Sequence, residues 1–337
     1  MDNICHSLVG LALGEAGLAR RTRHATATLV LAANLPDVDA LLYFAGDPVL
    51  SLAHRRGWTH GVVAAVVLPL LLATLIAWWD GVRRRRVRRA GRSAPPPATW
   101  RDLALLATVG VWSHVLLDWL NSYGVRLLMP LRDDWFYGDG VFIVDPWLWF
   151  VLAAGTALSW RRRRRERRHY RRGPSSGRPA RVALALGAAY AAALVASAAA
   201  GRRVVERLVQ EAGGRPARRI MAGPVAFTPF RRDVVREFDF GDSYEVGTLT
   251  WLPRPRYTVT GQIPTDAPKP LAQAAARTPR ARHFLSWARF PVLTEEPAER
   301  RVRFGDARYE RGPRAGWASI AVDVPAEAPT SGGPPAR

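Results

Sequence analysis

The sequence predicts a mostly α protein: a multi-pass helical membrane domain over residues 1–200, a small α+β soluble domain over 201–324, and a disordered tail over 325–337. Three observations predict this. Apolar runs of membrane length recur before residue 200. Arginines crowd the short loops between those runs. Beyond residue 201 the composition becomes that of an ordinary polar domain.

A hydrocarbon core of about 30 Å takes about 20 apolar residues in a helix. Segments 61–79, 141–160 and 182–200 meet that requirement, and GVVAAVVLPLLLATLIAWW at 61–79 carries no charge. Segment 103–120 has the length but contains His114 and Asp118. Two weaker segments come first. Residues 4–19 are apolar but short. Residues 27–46 are apolar on both sides of Pro36, with Asp37 and Asp39 in the middle. Proline disfavours helix at the residue before it, so Leu35 ends the first half.

Charge sets the orientation. The 337 residues carry a formal net charge of +21, and Lys269 is the only lysine. Arg83–Arg86 with Arg88 and Arg89, and Arg161–Arg165 with Arg167 and Arg168, sit beside apolar runs. By the positive-inside rule, loops 80–102 and 161–181 are cytoplasmic. Arg20, Arg21 and Arg23 hold the first turn inside. The chain then belongs in a cell inner membrane, with its C-terminal domain periplasmic or extracellular. Membrane lipids are the expected partners. No nucleic acid is expected, because no aromatic-interleaved basic groove or nucleic-acid motif accompanies the charge. Cys5, the sole cysteine, excludes intramolecular disulfides and cysteine-rich zinc sites. The N-terminus lacks the basic region of a cleaved signal peptide.

In the soluble part, REFDF (236–240), SYEVGTLTWL (243–252), RRVRF (300–304) and WASIAVDV (317–324) read as strands. ARHFLSWARF (281–290) has helical spacing. The tail is rich in Pro and Gly.

The chemistry lies in ionisable residues within or beside the apolar segments: His6, Asp37, Asp39, His54, Arg55, His60, His114 and Asp118. Such groups cost at least a few kcal/mol each in a membrane, so they mark function and face a cavity or a partner. His114 and Asp118 share one helix face at i, i+4 spacing, where both can reach one ion. Alternatively Asp118 hydrogen-bonds His114. Asn121 and Ser122 stand ready to orient that end. Asp37 and Asp39 lie in a break, which membranes tolerate only where it is buried or lines a cavity. Either they take a cation or Asp37 caps the next helix. In HRRGWTH (54–60), His54 and His60 frame the start of an apolar helix. Arg55 is an anion clamp or a solvated charge, and Arg56 reads as a solvated charge near lipid head groups. His24 and His169 read as surface residues, and His283 receives no role. The topology sends Asp37/Asp39, His54/His60 and the outer half of the 103–120 helix to the same side of the membrane.

CHSLVG (5–10), LPDVD (35–39), HRRGWTHG (54–61), SHVLLDWLNSYG (113–124) and VFIVDPW (141–147) together resemble the YdjM/YfhP family of membrane-bound, predicted metal-dependent hydrolases. FLSWARFPVL and DARYE resemble the C-terminal region of its longer members. The resemblance implies a divalent metal, zinc foremost, held as one or two ions by His6, Asp37, Asp39, His54, His60, His114 and Asp118. Asp39 or Asp118 would act as general base, and Arg55 would hold an anionic group of a phosphoester or lipid-linked substrate. The order of ligands is similar to that of zinc-dependent phospholipase C and the P1-type nucleases, whose further histidines and second HxxxE this chain lacks. The alternative is a non-enzymatic cation-binding membrane protein or transporter, or a scaffold in which the cluster is structural.

Overall fold

Asp2 opens the first helix. Its carboxylate accepts from the backbone N–H groups of Ile4 and Cys5 at 2.9 and 3.0 Å, satisfying donors that the first turn leaves without partners. The computed structural model describes residues 1–45, 48–168, 177–239, 243–265, 269–310, 316 and 318–325. Helix α1 spans Asn3–Glu15 and α2 spans Ala25–Ala32. A 3-10 stretch over Leu35–Ala45 continues α2 at a bend of 41°, the break that Pro36 predicts. Then follow α3 (Pro48–His54), α4 (Ala64–Arg89), α5 (Trp100–Trp119), α6 (Pro146–Arg168) and α7 (Arg178–Glu211).

The helices pack in the order α4, α5, α2, α1, α6, α7. Two glycines let the backbones of α1 and α5 approach α2. A Cβ on Gly10 or on Gly110 would stand 3.0 Å from the Leu29 carbonyl oxygen. Small residues permit this close packing where apolar side chains cannot drive helices together. Among the described residues, α4 and α7 are long and apolar enough to cross a membrane, and the bent pair over 25–32 and 35–42 makes a third if counted as one span. The predicted run 141–160 is not helical throughout. Asp145 accepts from Leu148 N at 3.0 Å and Pro146 takes the first position, so α6 starts late. That leaves about 22 Å of helix before Arg161 at 1.5 Å per residue, short of a full hydrocarbon core.

Helix α7 does not stop where its apolar run ends. Its last turns, through Val205 and Val209, pack against Val234 and Leu249 of a four-stranded antiparallel sheet. That sheet is β1 (Arg219–Val225), β2 (Thr228–Glu237), β3 (Ser243–Thr250) and β4 (Arg256–Pro264), in chain order. Helices α8 (Pro270–Ala276) and α9 (Pro279–Trp287) lead to a three-stranded antiparallel sheet of β5 (Pro291–Glu296), β6 (Arg301–Asp306) and β7 (Ser319–Asp323). Of the predicted strand at 236–240, residues 236 and 237 end β2, which starts much earlier, 238 and 239 are not strand, and 240 lies outside the described residues. Strands β1, β4 and β5 are absent from the sequence reading. Gly and Pro inside RIMAGPV and RYTVTGQIP argue against strand, and the mostly exposed β4 shows how an edge tolerates them. The tail beyond residue 325 and His169 lie outside the described residues.

The second sheet and α9 form one core in which Phe284, Trp287, Val302 and Phe304 join Val49 and Leu52 of α3 and Tyr123 from just past α5. The C-terminal unit therefore sits on one end of the bundle. Buried Asp139 fastens it, accepting from Arg289 at 2.8 and 3.1 Å and from Arg202 at 3.3 Å.

Candidate metal centre

Four ionisable side chains from three separate stretches meet in the bundle. Asp37, His60, His114 and Asp118 are all buried, and each offers a ligand atom within 4.8 Å of the others. Local structure aims each one. Gly110, one turn before His114, brings α5 onto α2. There His114 Nδ1 donates to the Ala33 carbonyl oxygen at 2.7 Å, which turns Nε2 inward. Such a second bond fixes both tautomer and ring orientation. His60 is held through Thr59, whose hydroxyl contacts His60 Nδ1 at 2.9 Å and donates to Asp39 Oδ2 at 2.7 Å. Asp37 sits on the first turn after the break, and Asp118 lies one helical turn beyond His114.

The spacings suit an ion. His60 Nε2 lies 3.0 Å from His114 Nε2 and 3.2 Å from Asp118 Oδ2. His114 Nε2 lies 3.7 Å from Asp118 Oδ2 and 3.9 Å from Asp37 Oδ1. Donors bound at about 2.0–2.1 Å in a tetrahedron sit about 3.3 Å apart. Asp37 Oδ1 is buried with no hydrogen-bond donor, a costly state for a carboxylate oxygen unless a cation completes it. Two imidazoles and two carboxylates are the donor set that zinc and related divalent ions take.

The other predicted ligands lie around this set. His6 stacks on His114 at 3.8 Å between ring centroids, and its Nε2 lies 3.3 Å from the second oxygen of Asp118. Asp39 Oδ2 also accepts from the backbone N–H of Arg56 at 2.8 Å, so Asp39 shapes the 56–60 turn. Arg55 reaches Asp37 at 3.9 Å. His54 lies apart, with its ring 6.0 Å from that of His283 at the contact between α3 and α9. His24 is not a free surface residue: it is mostly buried and bonds Asp80 at 2.8 Å.

A family model described as YdjM inner membrane protein matches residues 1–202, which include every residue of this cluster. The chain belongs to the YdjM inner membrane protein family. It is 31% identical over 180 residues to the Inner membrane protein YbcI of Escherichia coli (strain K12), covering 46% of this chain and 92% of YbcI. It is 24% identical over 166 residues to the Uncharacterized protein YfhP of Bacillus subtilis (strain 168), covering 47% of this chain and 46% of YfhP. The chain thus spans about half the length of YfhP. No solved structure matches.

In this YdjM-family chain the largest departure from the sequence reading is Arg56. It is not a solvated charge. It is 1% exposed, its Nε lies 2.8 Å from Asp118 Oδ2, and its Nη1 donates to Asn121 Oδ1 at 3.0 Å. Its backbone φ of 54° turns the chain sharply enough to send it inward. Nothing in HRRGWTH distinguishes Arg56 from Arg55. The Met1 ammonium group also ion-pairs with Asp118.

The C-terminal unit covers one end of the centre. The Arg56 guanidinium lies over Tyr123, and Tyr123 packs on Trp287, whose ring stacks on Tyr309. Arg308 Nη1 donates to the Ser122 carbonyl oxygen at 2.7 Å. Burial works against the Arg308 charge, but the Asp306 carboxylate at 2.8 Å outweighs it and raises its pKa above the ordinary value. Burial likewise raises the Tyr309 phenol. A charged arginine and a neutral phenol thus stay under the cover.

Proposed function

We propose that this protein is a multi-pass, metal-dependent hydrolase of the inner membrane, with zinc or a similar divalent ion at Asp37, His60, His114 and Asp118. The single observation that carries this is the buried convergence of two histidines and two carboxylates within ligand-sharing distance. A divalent ion held there would supply an activated water near neutral pH and polarise the scissile bond. Asp39 would accept a proton as general base; its Oδ1, buried and without a hydrogen-bond donor, supports that reading. Arg55, beside Asp37, would grip the anionic group of a phosphoester. Arg56 pairs with Asp118 and aims it, and His6 positions its neighbours. The arginine-rich loops support an outward-facing centre and a C-terminal unit on the periplasmic or extracellular side.

A second reading, a non-enzymatic cation-binding protein or transporter, is favoured by one observation: the 41° bend of the 25–42 segment, since broken helices build midplane ion sites. Metal analysis of detergent-purified protein, with a phosphoester assay on wild type, His114→Ala and Asp37→Ala, separates the two. Stoichiometric metal and hydrolysis, both lost in the variants, support the enzyme. Metal without turnover favours the second reading, and wild type without metal sinks both. A reporter fused after residue 210 should be active only outside the cytoplasm.

A further inference from the structure

The centre is sealed above by the C-terminal unit and behind by α5. Its surface lies elsewhere. Asp37 and Asp39 each retain 7% exposure, whereas His6, His114 and Asp118 retain none. Outside Asp37 runs a polar seam between α1 and the broken α2 segment. Exposed Asn3 donates to Asp37 Oδ2 at 3.1 Å, and Asn34 donates to Ser7 Oγ at 3.0 Å. The surface flanking this seam is apolar: Ile4 is 54% exposed, Leu31 54%, Val38 47% and Leu41 63%. A water-filled entrance would not be framed by large exposed aliphatics on both helices. In a family of inner membrane proteins, that surface is lipid-facing.

We propose that the centre opens sideways into the bilayer through this seam, and that it takes an amphiphile: a membrane lipid or lipid-linked compound with an anionic phosphate head. The inference rests on the hydrolase reading and adds the substrate class. The phosphate passes between Asn3 and Arg55 toward Asp37. Arg55, 19% exposed at its side chain, offsets the negative charge of the carboxylates that the head group must pass. The tail stays outside, along Leu31, Val38 and Ile4, so the site need not extract the lipid fully. A soluble phosphoester shares the head-group chemistry but gains nothing from the apolar rim.

Two measurements on the full-length protein test this. In nanodiscs, nitroxides attached through Leu31→Cys or Val38→Cys report collisions with oxygen, enriched in lipid, or with a nickel chelate, confined to water. Oxygen should dominate at both positions. In detergent, dioctanoyl phosphatidic acid should bind at least tenfold more tightly than glycerol 3-phosphate or inorganic phosphate. Leu31→Gln should cut that preference at least threefold, while Val67→Gln, on the exposed face of α4, should leave it intact. Dominance of the nickel chelate, or equal binding of the three phosphates, would overturn the sideways entrance. Metal content of the same samples keeps the two readings apart. Protein without metal refutes the hydrolase, and the collision data still decide the entrance.

Discussion

Arg56→Met removes one charge from the middle of the centre and keeps most of the volume. Arg56 is 1% exposed and Asp118 fully buried, with 2.8 Å between Nε and Oδ2. At 2.8 Å and an effective dielectric of about 20, the gross attraction is about 6 kcal/mol. Desolvation consumes part of that, and truncating one member of such a buried pair costs about 3–5 kcal/mol. Asp118 keeps His60 at 3.2 Å and His6 at 3.3 Å, which puts the expected loss near the lower end, about 3 kcal/mol. At about 2–4 °C per kcal/mol, thermal unfolding in detergent should fall by about 6–12 °C. A divalent ion would supply the missing positive charge, so excess zinc should recover part of the loss. Adding Asp118→Leu should cost less than the sum of the two single changes, since Asp118 and Arg56 are then removed together and only the Met1 ammonium loses its partner. A single variant within 1 °C of wild type, or strict additivity in the double variant, would refute the role given to Arg56.

Further outcomes follow from other contacts. Gly61→Ala places a Cβ against the Met129 carbonyl and should displace the adjoining His60; metal affinity by competition titration should drop about 10-fold or more. Thr59→Val removes both the bond to Asp39 at 2.7 Å and the contact with His60 Nδ1, and should cost about 1–2 kcal/mol in unfolding with weaker metal binding. Asp139→Asn leaves Arg289 without its buried ionised partner; hydrogen exchange over α9 should rise while metal content holds, and protection equal to wild type would count against the clasp. Chelator treatment should lower the unfolding temperature of wild type but not that of His114→Ala; an equal response would show that the ion binds elsewhere.

Much of the centre was legible in the sequence because lipid makes ionisable residues conspicuous. His114, Asp118, His60 and Asp37 stand out against apolar runs, and arginine placement alone sent them to one end. The limits have physical causes. Arg56 and Arg55 look identical in the chain, and only the backbone turn at 56 separates the buried one from its neighbour. His54 shares the motif of His60 but leaves on α3, whose partner α9 lies far along the chain. Asp39 looks like a twin of Asp37, yet its hydrogen bonds go to the 56–60 turn. The strands of the first sheet owe their places to α7 as much as to their own pattern, and a Pro- and Gly-bearing edge strand leaves little periodicity to read.

Chain order also gives the centre a history. Every residue of the four-membered cluster precedes α6, whereas Trp287, Arg308 and Tyr309, which close it from above, are among the last to leave the ribosome. During synthesis the bundle can gather its carboxylates and imidazoles while the cover does not yet exist. An ion can therefore enter a half-made protein by a route the finished one has shut, which leaves only the seam beside Asp37.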